Sequence, residues 1–148
     1  MYTNLGVITG LYDTIMQSQA AVVIDHFGRL DASAGLNQSG FDALLSLVRA
    51  GKVYVKLSAG YRVSETPDYA DLDPFAEALI AANPDRMLWG TDWPHPFPPK
   101  GTIRRPDVIE KAHPEDNTAA IRRVARWART RDIAKKILVD NPARLYDF

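Results

Sequence analysis

Three short apolar runs divide the chain: Ala21-Val22-Val23-Ile24-Asp25-His26-Phe27-Gly28, Lys52-Val53-Tyr54-Val55-Lys56-Leu57-Ser58 and Met87-Leu88-Trp89-Gly90. The apolar positions of the first run are consecutive rather than alternating, as expected for a strand covered by helices on both faces. The third is bounded by the turn Asn83-Pro84-Asp85 and, downstream, by Pro94 and Pro96, which predicts a buried strand of four or five residues. Between the runs the period changes to that of a helix. Ile8, Leu11, Tyr12 and Ile15 predict a helix over 7–18, and Phe41, Leu44, Leu45, Leu47 and Val48 predict another, closed by Gly51. A third starts near Asp73-Pro74, with Asp as cap and Pro in the first turn, and runs through Phe75, Leu79 and Ile80 to Ala82.

After Trp93 the pattern breaks. His95 to Pro114 holds five prolines (Pro96, Pro98, Pro99, Pro106, Pro114) without a period, which predicts a long loop of the kind that is either functional or disordered. Asp116 or Asn117 then caps a helix carrying Ile121, Val124, Ala125 and Ala128, with Arg122, Arg123, Arg126 and Arg129 on its solvated side. A last helix covers 133–139, and Asn141-Pro142-Ala143-Arg144-Leu145-Tyr146 follows it.

Strand then helix, three times over, means parallel strands joined by right-handed crossovers. An open doubly wound sheet and a (β/α)8 barrel share that signature. A whole barrel takes about 250 residues, so 148 residues make only part of one. Neither G-x-G-x-x-G nor G-x-x-x-x-G-K-S/T occurs, which weakens the nucleotide-binding form of the open sheet.

Composition narrows the function classes. Eighteen Lys and Arg balance 18 Asp and Glu, so there is no general attraction to nucleic acid or to an anionic membrane. The absence of cysteine removes disulfides, thiolate metal sites and thiol nucleophiles. No apolar run approaches the roughly 20 residues that span a bilayer, and the first residues do not resemble a signal peptide. The expectation is a single domain over 1–148 in the cytoplasm.

Candidate chemistry collects after the strands. Asp92 follows the third run, where parallel α/β proteins gather ligands; an aspartate there also serves turns. His26 ends the first run, and a lone histidine at such a place is commonly a hydrogen-bonded structural residue. Arg62 lies in the loop after the second run, beside Ser58 and Tyr61. Trp93 and His95 flank the proline-rich segment, and Trp89 reads as packing.

Four segments in order, Val22-Val23-Ile24-Asp25-His26-Phe27-Gly28-Arg29, Val55 to Arg62, Leu88-Trp89-Gly90-Thr91-Asp92-Trp93-Pro94-His95-Pro96 and Ile137 to Tyr146, resemble the C-terminal half of the amidohydrolase-related family. The branch with pyrone dicarboxylate lactonase and the sugar-lactone enzymes is the most similar. The resemblance implies a partial (β/α)8 TIM-type barrel, with the strands here the sixth to eighth and Met1 to Asn4 the tail of the fifth. It implies a hydrolase that opens a lactone or similar ester in a carboxylated small molecule. In that family pattern Asp92 takes a proton from the attacking water, His26 polarises the scissile carbonyl, and Arg62 holds a substrate carboxylate. Ser58, Tyr61, His95 and Trp93 would line the substrate site.

The family's His-x-His pair after the first strand has no counterpart here, because the only histidines are His26, His95 and His113. One aspartate and one histidine fall short of the three protein ligands of a catalytic zinc, and the resemblance to the lactonase branch implies a reaction without a metal, so no metal and no other cofactor is expected of this chain, a divalent metal in a longer parent remaining open. The same comparison predicts a fragment of a longer gene or an internal Met taken as a start. The open edges of the Val22 and Met87 strands would then invite self-association. The other expectation, from a different class, is a truncated, noncatalytic remnant acting at most as a binding or association module.

Overall fold

A computed structural model describes residues 1–96 and 105–148. Pro98 and Pro99 of the expected long loop lie outside the described residues. Three strands, β1 (Val22–Ile24), β2 (Val53–Lys56) and β3 (Met87–Leu88), form a parallel sheet in that order. Val22 pairs with Val53 and Ile24 with Val55; Val55 pairs with Met87 and Lys56 with Leu88. Pairing ends at Leu88, whose carbonyl accepts from Leu57 N at 2.8 Å, so Trp89 and Gly90 fall beyond the ladder and β3 is shorter than its apolar run. Met1 lies against the free edge of β1, its amine donating to Val23 O and its carbonyl accepting from Asp25 N at 3.0 Å.

The helix expected over 7–18 is two helices, α1 (Leu5–Gly10) and α2 (Tyr12–Gln17), broken at Leu11. It starts early because Asn4 Oδ1 accepts from Val7 N at 3.0 Å. Helix α3 (Phe41–Arg49) follows Gly40, whose φ of 86° and crowded surroundings exclude a side chain: a Cβ there would stand 2.7 Å from Thr9 Oγ1 and 2.9 Å from Leu5 O. Helix α4 (Asp73–Ala82) begins where expected, but Asp73 does not cap it. Its Oδ1 instead accepts from Trp127 Nε1 and Arg126 Nη2, both at 2.6 Å, and so ties α4 to α5 (Asn117–Ala128). Asp116 caps α5, accepting from Thr118 N and Ala119 N.

Helix α5 departs from its expected faces. Ile121 is exposed and Trp127 is buried in its place, while Arg123 is turned inward against Glu115 rather than solvated. Fully buried Phe41 and Phe75 meet edge to face at 5.2 Å where α3 packs on α4, and Ile8, Leu44, Leu47, Val53, Val55 and Met87 continue the same core. No described helix is long and apolar enough to cross a membrane.

The last helix is longer than predicted. Helix α6 (Arg131–Lys135) passes through a π-helical turn, Lys136–Asp140, into α7 (Asn141–Tyr146), with Pro142 tolerated in the first turn of α7. Asn141 is fully buried and its Nδ2 donates to Pro84 O and Met87 O, both at 2.8 Å. Leu88 O faces β2, so the carbonyl one residue earlier points to the outer edge of β3, and Asn141 satisfies it there.

Each buried carbonyl left without a donor costs about 1–3 kcal/mol. Asn141→Ala should therefore lower the urea midpoint with an unchanged slope, by about 2 kcal/mol or more in unfolding free energy. A loss below about 0.5 kcal/mol, typical of a surface change, would show that the carboxamide does not hold β3.

Candidate active site

All three strand exits place non-glycine residues in the left-handed region. After β1, His26, Phe27 and Arg29 have φ of 52°, 55° and 47° around Gly28. After β2 the residue is Ala59, followed by a single tight turn, Gly60–Arg62. After β3 they are Asp92 and His95, at 61° and 59°, on either side of a cis Trp93–Pro94 peptide. Such conformations cost on the order of 1–3 kcal/mol each and persist only where the surrounding structure over-determines them. Here buried Phe27 packs edge to face on Trp127 at 5.8 Å and holds the first turn over the sheet.

The turns bring side chains from all three exits into contact. His26 Nδ1 lies 2.9 Å from Ser58 Oγ, and His26 Nε2 lies 3.4 Å from Asp92 Oδ1. The other carboxylate oxygen, Oδ2, accepts from Tyr61 OH and, at 2.8 Å, from Arg62 Nε. Arg62 Nη2 donates to Pro96 O at 2.8 Å, which joins the start of the proline-rich segment to the same cluster. His26, Arg62, Asp92, Ser58 and Tyr61, all singled out from the sequence, are thus one constellation.

Its electrostatics follow from the contacts. Burial by itself would raise the pKa of Asp92, but the hydrogen bonds from Tyr61 and Arg62 and the nearby charges outweigh it and hold the carboxyl below its usual range. Burial pushes the His26 imidazolium down, with Asp92 opposing and Arg62 reinforcing, so His26 is neutral at neutral pH. Burial and the bond to Asp92 push the Tyr61 phenol up, which keeps it a donor. Beside them Asp25 is held low: burial works against this, and the Lys56 ammonium at 2.9 Å overcomes it.

The remaining expectations fare differently. His95 is buried, its ring edge-on to Tyr61 at 6.3 Å, and among the described residues its Nδ1 has no hydrogen-bond partner. Trp93, expected to line the substrate site, is 78% exposed and does not close over the cluster. Trp89 is half-buried against the core.

Other residues of the site carry weaker sequence signals. His113 stacks on Tyr61 at 4.3 Å, and Tyr69 OH lies 3.2 Å from both His113 Nε2 and Glu115 Oε2. Glu115 in turn accepts from Arg123 at 2.7 Å. The signal available was that the chain has three histidines and all three belong to this one region. Tyr2 meets His26 edge-on at 5.8 Å. Behind the strand ends, Ser58, Trp89, Thr91, Glu115, Arg123 and Trp127 line a cavity of about 20 Å³, room for about one water.

Residues 18–148 match the amidohydrolase family model. The chain is 42% identical over 142 residues to a 4-sulfomuconolactone hydrolase of Rhizobium radiobacter, covering 94% of this chain and 44% of that protein. It is 34% identical over 146 residues to a 2-pyrone-4,6-dicarboxylate hydrolase of Comamonas testosteroni, covering 92% and 44%. A solved structure of a protein from Pseudomonas putida, described as a 2-pyrone-4,6-dicarboxylic acid hydrolase, superposes with a TM-score of 0.73 at 31% identity over 97% of this chain and 49% of that one. The chain spans less than half the length of the curated relatives it matches. A matching family model over most of the chain and a relative at 42% identity place it together: the chain belongs to the amidohydrolase family.

Proposed function

We propose that the three strands are a segment of a (β/α)8 barrel and that the cluster at their exits hydrolyses a lactone in a carboxylated small molecule. The observation that carries this is the convergence of His26, Arg62 and Asp92 from three successive strand exits, with Asp92 ionised and His26 neutral. The names of the relatives, lactone hydrolases both, support the substrate class.

The parts follow from the contacts. Asp92 is the base that accepts a proton from the attacking water. Because its carboxylate faces His26 Nε2, the favoured tautomer carries the proton on Nε2, with Ser58 Oγ donating to Nδ1. A lactone carbonyl seated between the two groups takes that N–H in place of Asp92 Oδ1, which polarises the carbonyl and stabilises the oxyanion as it forms. Arg62 and Tyr61 hold Asp92 in its charged form, and a substrate carboxylate binds beside the Arg62 guanidinium. His95 closes the wall behind Tyr61.

The described donors around Asp92 do not suit a metal ion. A cation at Asp92 would face the Arg62 guanidinium already 2.8 Å from the carboxylate, and among the described residues no three His, Asp or Glu side chains cluster as ligands. The proposed chemistry draws on water, Asp92 and His26.

Asp92→Asn keeps the shape and removes the base. Hydrolysis of a carboxylated lactone should fall about 100-fold or more, with binding retained; unchanged turnover would remove Asp92 from the role. The pH dependence has a definite sign. The pKa of His26 is lowered from 6.5, so the folded state binds fewer protons than the unfolded one below pH 6.5, and stability declines as pH falls through that region. Asp92, also lowered, adds a second loss below its ordinary 3.8. The acid limb of kcat/KM should lie below pH 6.5, and a limb above it would contradict a neutral His26.

A further inference from the structure

The His26–Asp92 cluster occupies one end of the sheet, and the other end carries an open cavity of about 380 Å³. Its walls come from the segments that lead into the strands. Ser18 and Gln19 precede β1, Gly51 and Lys52 precede β2, Arg86 precedes β3, and Tyr54 lies inside β2. The four residues of β2, at about 3.3 Å each, put roughly 13 Å of strand between this cavity and the exits.

Lys52 and Arg86 are the charged residues of the lining, and no acid accompanies them. Among the described residues neither side chain makes an ion pair or a hydrogen bond. Asp85, next to Arg86 in sequence, is taken by Lys136 at 2.5 Å. Arg86 is nevertheless held in place. Its guanidinium lies over the Tyr54 ring, 4.6 Å from the centroid, and Tyr54 is buried. It also lies against Gly51, where φ is 69° and a Cβ would stand 3.3 Å from Arg86 Nη2.

A stack on an aromatic ring uses the face of a guanidinium and keeps its in-plane N–H fork for a bidentate oxyanion. Two cations bordering one cavity without an acid raise its potential and favour an anion there. The volume exceeds what a bare ion needs and falls within the range of small-molecule sites, about 300–1,000 Å³.

We infer that this cavity binds a small organic anion, its carboxylate or phosphate oxygens taken by the Arg86 fork, with the Lys52 ammonium as a second positive charge. The site lies apart from the strand-exit cluster and does not depend on the lactone-hydrolase reading.

The test follows the backbone amide signals of the 15N-labelled chain by NMR while succinate, glycerol 3-phosphate and inorganic phosphate are titrated separately. Expected is a saturable shift of the Gly51 and Lys52 amides with at least one organic anion, at a Kd of about 1 mM or below. Arg86→Gln should weaken it about tenfold, Arg86→Lys less, and added salt should screen it. Saturation by succinate alone assigns the site to a carboxylate, and by glycerol 3-phosphate alone to a phosphate ester; either supports the cavity. Absence of saturation at Gly51 and Lys52 with both organic anions overturns the inference, even where the amides of His26 and Ser58 respond. So does an affinity unchanged in Arg86→Gln, or inorganic phosphate bound as tightly as both organic anions. Should Arg86→Gln fail to fold, Lys52→Gln takes its place: a severalfold loss supports the site and an unchanged affinity overturns it.

Discussion

The half-buried carboxylate of Asp92 is the point on which the three strand exits converge, and its charge is sustained by contacts from each of them. Partial burial opposes ionisation, so an isolated aspartate at this place would drift toward neutrality. Tyr61, Arg62 and His26 reverse that. The reversal has a chemical consequence: a carboxylate held below its usual pKa is always charged at neutral pH but is a weaker base than one poised near the operating pH. In the proposed reaction much of the acceleration would then have to come from the electrophilic side, through the N–H of neutral His26.

The contacts around Asp92 depend on turns that no regular strand-to-helix connection would supply. Left-handed conformations at His26, Phe27, Arg29, Ala59, Asp92 and His95 are held by packing from behind. Phe27 bears on Trp127, Trp127 is tied through its indole N–H to Asp73, and Asp73 opens α4. Substitutions on α5 therefore reach His26 through Phe27 although, among the described contacts, α5 supplies no group that touches His26 or Asp92.

Much of this was legible in the residues. Local periodicity and the position of Gly and Pro give the three strands, their parallel order and the starts of α3 to α5 within a residue or two, and the resemblance picks out the residues that the turns bring together. The rest depends on partners distant in the chain. Arg123 reads as solvated because its spacing on α5 says nothing of Glu115, and Tyr69 and His113 meet across 44 residues of sequence. Asn141 looks like a helix stop before proline; only the carbonyl at the edge of β3 explains why it is buried. The length of β3 is likewise set by where Leu57 finds its acceptor, not by its own apolar run.

His113 shows how far the support of the Asp92 carboxylate extends. Burial and the Glu115 charge push the Tyr69 phenol up to about 12, so it remains protonated with one proton to give. Two partners stand at 3.2 Å, and the Glu115 carboxylate can only accept. Tyr69 therefore donates to Glu115, and the contact with His113 is favourable only when Nε2 of that ring carries a hydrogen directed at the phenol oxygen. The arrangement fixes the His113 tautomer and its plane, and the plane is the one on which Tyr61 stacks. A line of contacts runs from Arg123 on α5 through Glu115, Tyr69 and His113 to Tyr61, whose hydroxyl ends on Asp92. The orientation of the donor that keeps Asp92 ionised is thereby set by an ion pair between α5 and the residue just before its cap.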